Sequence, residues 1–424
     1  MESTALFDFI AQCPTAFHTA ATVCEALTAA GYTRLAESDA WTLEAGKGYF
    51  VSRGTSSVLA FCAPADFSGF VIAAAHGDSP APKIKENADL HGADYTRLSV
   101  EPYGGMIFST WLDRPLSVAG RVVVRTARGI AVRLCDLRVP VAVIPNVAIH
   151  MNRTMNDGVK LNAAVDMLPL YGGADVEPLR ARVAASLGVA ADDILSADLF
   201  VYNPQAGVEW NGYISAPRLD DLQCVYAALH GFLDAADGTA AKVLCVFDNE
   251  EVGSQTRQGA ASTFLYDVLR RVSAAYGKDY DAAVAGSLML SCDNAHAVHP
   301  NHPEYADANH TVRMNGGVVV KYNANQRYTT DAWSAALFRV ICARAGVPVQ
   351  LYANRADMPG GSTLGNIANT QVSLPTVDIG AAQLAMHSAY ETAGAADTAY
   401  LYRAIKQAFE TTLTALADGV AEIQ

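Results

Sequence analysis

The sequence predicts an α/β fold with a central, mostly parallel sheet, into which a second, mainly β domain is inserted. Three observations predict it. Short apolar runs bounded by Gly, Pro, Asp or Ser alternate with helix-length segments over the first and last parts of the chain, the pattern of strand–helix–strand units. A middle stretch is instead rich in β-branched runs separated by glycines and an Asn156-Asp157-Gly158 turn signal. The chain is 424 residues long, which at about 150 residues per domain allows two to three domains. Residues 1–87 and 216–424 are therefore read as one discontinuous α/β domain, and residues 88–215 as the insertion.

The elements follow in order. Residues 4–30 read as two short helices broken at Cys13-Pro14, because proline ends a helix at the residue before it. Val58–Cys62 and Val71–Ala75 read as buried strands. In the insertion, Arg121–Arg125, Ala131–Leu134 and Val139–Ile144 read as strands, and Asn156-Asp157-Gly158 as a hairpin turn. Further on, Lys242–Phe247, Leu288–Cys292, Gly317–Lys321, Val349–Tyr352 and Thr376–Ile379 read as strands. Ala332–Ala345 and Thr398–Leu416 read as helices.

Composition narrows the function. Hydrophobic residues make up 51% and charged residues 17%, which rules out a disordered chain. A net charge of −13 argues against a nucleic-acid partner, which needs a basic face to displace counterions. No apolar run reaches the roughly 18 residues of a membrane helix, so no membrane partner is expected. The start, with Glu2 and Asp8, lacks the basic and then apolar pattern of a signal peptide. Eight scattered cysteines with no CxxC pair read as reduced core residues of a cytoplasmic protein.

The chemistry-bearing residues cluster just after apolar strands, where open α/β sheets place their sites. Val71–Ala75 runs into His76-Gly77-Asp78-Ser79-Pro80, Lys242–Phe247 into Asp248-Asn249-Glu250-Glu251, and Leu288–Cys292 into Asp293, His296 and His299. Arg218-Leu219-Asp220-Asp221 precedes a helix, and Met386-His387-Ser388 follows the Thr376–Ile379 strand. Singly, each has an ordinary reading as a structural histidine, a solvated acid or a helix cap. Together, histidines and carboxylates resemble a mixed N/O site for two divalent cations: zinc, or manganese or cobalt. Two cations about 3.5–4 Å apart need a bridging carboxylate. A base free of metal must also take a proton from water, a division of labour that adjacent glutamates suit. In His76-x-Asp78, the carboxylate can hold the second nitrogen of a ligating imidazole.

At these residues the sequence resembles the aspartyl aminopeptidase family of metallopeptidases. The resemblance covers essentially the whole chain. It runs from Cys13-Pro-Thr-Ala-Phe-His18 through Ala75-His-Gly-Asp-Ser-Pro80, Arg218-Leu-Asp-Asp-Leu222 and Asp248-Asn-Glu-Glu-Val-Gly-Ser254. It continues through Asp293-Asn-Ala-His-Ala-Val-His-Pro-Asn301, Lys321-Tyr-Asn-Ala-Asn-Gln-Arg-Tyr328 and Asp357-Met-Pro-Gly-Gly-Ser-Thr363 to Met386-His-Ser388. It implies removal of an N-terminal residue, preferably Asp or Glu, from peptides. It also implies metal ligands His76, Asp220, Glu251, Asp293 and His387, with Asp220 bridging and Glu250 as general base. By the same resemblance Lys321 and Tyr328 line the substrate pocket, and His150 of the inserted domain reaches a neighbouring subunit's site in a homo-oligomer, a tetrahedral dodecamer built from dimers. Gly77, Asp221, Asn146 and Gly360 depart from residues common in the family, and none of them is one of the five ligands. The rival readings are another dinuclear metallohydrolase, such as a phosphoesterase using Lys321 and Arg327, and an inactive assembly protein that keeps the family shell.

Overall fold

A computed structural model describes residues 2–236 and 238–423, leaving aside the side chains of 415 and 416. Among the described residues, three sheets and a C-terminal hairpin make up the β-structure. The largest sheet has nine strands, in the order Thr33–Leu35, Gly48–Arg53, Ser57–Cys62, Ala241–Phe247, Phe70–His76, Leu288–Cys292, Thr376–Gly380, Val318–Tyr322 and Val349–Ala353. Its four central strands, from Ala241–Phe247 to Thr376–Gly380, run parallel. Antiparallel pairings flank them, so the sheet is mixed.

The central strands are apolar on both faces because both faces are covered. Ala73, Ala75, Leu244, Val246 and Leu290 join one core with the helices Leu219–Asp234, Ala332–Arg344 and Asp397–Phe409. Ile72, Ala74, Val243, Cys245 and Phe247 join a second core with the helix Phe264–Ala275. The two N-terminal helices are Ser3–Gln12 and Ala16–Ala29, broken at Cys13-Pro14.

A six-stranded antiparallel sheet draws its strands from between Ala81 and Tyr202 and has its own core around Leu98, Val118, Val122 and Val201. A five-stranded sheet joins Val208–Trp210, Tyr213–Ala216, Glu391–Gly394, Ala382–Leu384 and Ala295–His296. It ties the return of the chain from the second sheet to the C-terminal part.

Three sequence expectations differ from the structure. Val139–Ile144 forms only isolated bridges, such as Leu116 with Ala142 and Val143 with Leu170. Pro140 has no N–H to give a ladder, and Pro145 follows the run directly, so the run cannot continue as a regular strand. Asn156-Asp157-Gly158 lies at a single 3₁₀ turn, Met155–Asp157, rather than a hairpin. Its flanks, with Met151 and Val159 exposed, offer no paired apolar face. The last helix stops at Phe409 instead of running to Leu416. Thr411 turns its hydroxyl onto the Gln407 carbonyl, and the β-branched pair Thr411-Thr412 leads into the strand Leu413–Ala417.

Candidate metal centre

The large sheet delivers three of the expected ligands at strand exits. His76 is the last residue of its strand, in register with Phe247 of the neighbour. Glu250 and Glu251 follow that neighbour in a short 3₁₀ turn, and Asp293 follows Leu288–Cys292. The small sheet delivers the other two. Asp220 lies at the start of the helix that leaves Tyr213–Ala216, and His387 lies in the loop between Ala382–Leu384 and Glu391–Gly394.

These side chains converge in two groups that share Asp220: His76, Asp220 and Asp293 (with Asp221), and Asp220, Glu251 and His387. His76 Nε2 stands 3.6 Å from Asp220 Oδ1 and 3.9 Å from Asp293 Oδ1. His387 Nε2 stands 3.4 Å from Asp220 Oδ2 and 3.3 Å from Glu251 Oε2. These separations exceed good hydrogen bonds. Asp220 Oδ1 and Glu251 Oε1 are buried with no hydrogen-bond partner. Orphaned oxygens on buried carboxylates, facing imidazole nitrogens, form a donor set that suits divalent cations.

The supports are as ordered as the ligands. His76 Nδ1 faces the Asp78 carbonyl at 3.1 Å and His387 Nδ1 faces the Gly105 carbonyl at 3.2 Å, which leaves each Nε2 directed inward. The Asp78 carboxylate accepts the main-chain N–H groups of Glu250 and Glu251, each at 3.2 Å, and the Tyr103 hydroxyl at 2.7 Å. The Asp78 carboxylate thus stands 3.4 Å from His76 Nδ1 and also fixes the glutamate pair. Burial, with Asp293, Asp78 and Asp220 nearby, pushes Glu250 up to about 8.

The sequence matches the family described as "Aminopeptidase I zinc metalloprotease (M18)" over residues 9–409. The chain belongs to the M18 aminopeptidase family. It is a metal-dependent aminopeptidase, a hydrolase acting on peptide bonds. A probable M18 family aminopeptidase 2 of Clostridium novyi is 40% identical over 420 residues, covering 95% of this chain and 97% of that one. Its counterpart in Pseudomonas aeruginosa is 42% identical over 416 residues, covering 94% and 96%. Among solved structures, the S. cerevesiae mApe1 dodecamer superposes with a TM-score of 0.84 at 27% identity, covering 96% of this chain and 95% of that one.

The other expected residues of this M18 chain fall in different settings. Lys321 is 1% exposed. Its ammonium donates to the Asp293 carbonyl at 2.8 Å, the Asp293 carboxylate at 3.2 Å and the Asn294 carbonyl at 3.4 Å. Burial opposes its charge, but Asp293, Tyr328 and Asp378 outweigh it and hold the ammonium above its ordinary pKa. Tyr328 turns its ring face toward that ammonium at 5.1 Å. His150 is exposed in a turn and stands outside both ligand groups, as do His296 and His299.

The departures from the family pattern have local reasons. A Cβ on Gly77 would meet the Thr19 methyl at 3.0 Å, and the Thr19 hydroxyl bonds the Gly77 carbonyl. A Cβ on Gly360 would meet Asn354 Oδ1 at 2.4 Å. Asn146 is pinned to Asp113 through its main-chain and side-chain nitrogens. Asp221 accepts the His76 main-chain N–H, and burial pushes its carboxyl well above the usual range.

Sequence reasoning missed Tyr103, the Gly105 carbonyl and Glu391, whose carboxylate takes the main-chain N–H groups of Asp220 and His387. The one signal for Glu391 was a charged residue at the head of the short, otherwise uncharged run Glu391-Thr-Ala-Gly394.

Proposed function

We propose that this aminopeptidase removes an N-terminal Asp or Glu from peptides using two divalent cations, zinc in the simplest case and manganese or cobalt as substitutes. His76, Asp220 and Asp293 would hold one, and Asp220, Glu251 and His387 the other. The observation that carries this reading is the division of Asp220: Oδ1 faces His76 and Oδ2 faces His387. One carboxylate offering an oxygen to each group is what a bridging ligand requires. When bound, such a cation pair polarises a peptide carbonyl and activates water.

The chain's own residues carry the protons. Glu250 lies within reach of His76 and Glu251 but belongs to neither of the groups that share Asp220, and its backbone is held by Asp78. Its carboxylate takes a proton from water as the water oxygen bonds the carbonyl carbon. The same proton then passes to the departing amine as the C–N bond breaks. Lys321 would offer its charge and Tyr328 its hydroxyl to an acidic side chain, which requires the Lys321 ammonium to exchange one of its three bonds to Asp293 and Asn294 for the substrate.

His150 would act in a neighbouring copy. Its segment exposes Val147, Ile149, Met151, Val159 and Val165, an apolar surface suited to burial against another chain. The dodecamer formed by S. cerevesiae mApe1 supports a homo-oligomer. In this reading residues 88–215 would be the assembling domain of a tetrahedral dodecamer built from dimers. All eight cysteines are free, which supports a cytoplasmic setting. Among the described residues no helix is long and apolar enough to cross a membrane.

Chelation should abolish activity, and zinc, manganese or cobalt should restore it. A panel of aminoacyl anilides should then show Asp and Glu cleaved ahead of Leu and Ala. Full activity in metal-free protein would overturn the cation reading, and indifference to the N-terminal residue would overturn the specificity.

A further inference from the structure

Two of the three ligands of the second group, Asp220 and His387, come from loops that leave the same small sheet. Glu391 begins that sheet's middle strand. On one side it pairs in register with Ala216, the last residue before the loop to Asp220. On the other side the next residue, Thr392, pairs with Leu384, the last residue before the loop to His387. Both loops are conformationally demanding. Arg218, Ala385 and His387 all have positive φ, at 57°, 55° and 68°, a region that non-glycine residues enter only when their surroundings hold them there.

The Glu391 side chain stands between the loops and is 1% exposed. Its oxygens are divided. Oε2 accepts the Asp220 N–H at 3.0 Å, and Oε1 accepts the His387 N–H at 2.7 Å, with a long contact from Gln383 at 3.5 Å. A buried carboxylate is costly without compensation. Here its compensation comes from the main chains of two residues proposed as ligands.

We infer that Glu391 is a positioning residue of the metal centre. It clamps the bridging carboxylate and the histidine of the second cation to one another, and so fixes the 3.4 Å approach of His387 Nε2 to Asp220 Oδ2. The large sheet sets His76 and Asp293 through its ladder, and Asp78 holds Glu251. Without Glu391 the other two ligands would depend on two separate loops. The inference rests on the two-cation reading.

Glu391→Gln tests it with little change in shape. The new NH₂ group opposes one of the two N–H donors, so one loop is released. Metal-free full-length protein is titrated with zinc against a competing chelator, and the melting temperature of the metal-free protein is measured alongside. Wild type should take two equivalents. E391Q should bind its second equivalent about 10–100-fold more weakly, the usual effect of losing a support behind a ligand, with an unchanged metal-free Tm. Equal affinity for both equivalents in E391Q would overturn the inference and leave the two-cation reading intact. A drop in metal-free Tm that Glu391→Asp shares, with metal affinity restored in neither, would assign Glu391 to general stability and also overturn it. If E391Q does not fold, Glu391→Asp alone decides: it keeps both oxygens but is one methylene short. A weakened second equivalent at unchanged metal-free Tm supports the clamp, and an unweakened one overturns it. A wild type that takes only one equivalent would overturn the two-cation reading and this inference together.

Discussion

The metal centre and the segment from Val139 to Asp166 are built on opposite principles. In the centre, each proposed ligand is buried or half-buried, and the supports are themselves bonded: Asp78 alone accepts from Tyr103, Glu250 and Glu251. The segment has isolated bridges and single turns in place of regular strands, and it exposes Val139, Val147, Ile149, Met151, Val159 and Val165. One region is determined within the chain. The other carries apolar surface that the single chain leaves in water. The difference suggests that chemistry resides in the first and that the second is completed by another copy.

The largest effect is expected where the centre is broken chemically but not structurally. Glu250→Gln should keep its metal and lose kcat by about 10²–10⁴-fold, the scale of a lost general base. Glu251→Gln should lose metal as well, because Glu251 Oε2 stands 3.3 Å from His387 Nε2 in the second group. Metal analysis beside turnover separates the two, and equal metal loss in both variants would erase their division of labour.

The same contrast explains what could be read in the sequence. The strands Leu288–Cys292 and Ala241–Phe247 were legible because burial on both faces makes them continuous apolar runs. Three of the five proposed ligands, His76, Glu251 and Asp293, stood out because they follow such runs directly. Glu391 and Gly105 were not, since they act through register and main-chain atoms that a linear reading does not bring together. The segment misled for a related reason. Val139–Ile144 has strand-like residues, but its prolines and its unpaired surroundings decide the outcome. Local propensity speaks clearly only where tertiary packing agrees with it.

A second, smaller effect is expected at the floor of the centre. Lys321 binds Asp293 through both its carbonyl and its carboxylate, so the proposed reading of an acidic substrate has to be separated from the steadying of a proposed ligand. A charge-assisted hydrogen bond contributes roughly 1.5–3 kcal/mol, so Lys321→Met should lower kcat/KM on acidic N-termini by about 10–100-fold. Cleavage after Leu or Ala should be spared or raised if reading dominates. An equal loss on neutral substrates, with weakened metal binding, would reduce Lys321 to a support for Asp293.

The smallest effect is expected in the exposed segment, and it tests the comparison most directly. His150 is exposed and outside both ligand groups, so His150→Ala should leave the metal content and the fold of the chain unchanged. If its imidazole completes a neighbour's site through a hydrogen bond, losing it should cost about 10-fold in kcat, near 1.4 kcal/mol. Co-assembly gives the sharper result. His150→Ala and Glu250→Gln chains mixed into one oligomer should be more active than the average of the two pure variants, because some sites then combine an intact Glu250 with an intact His150 from the adjacent copy. Mixed oligomers whose activity only averages the parents would confine His150 to its own chain. If pure His150→Ala also kept full kcat, the exposed segment would serve association alone, and all the chemistry would lie in the buried centre.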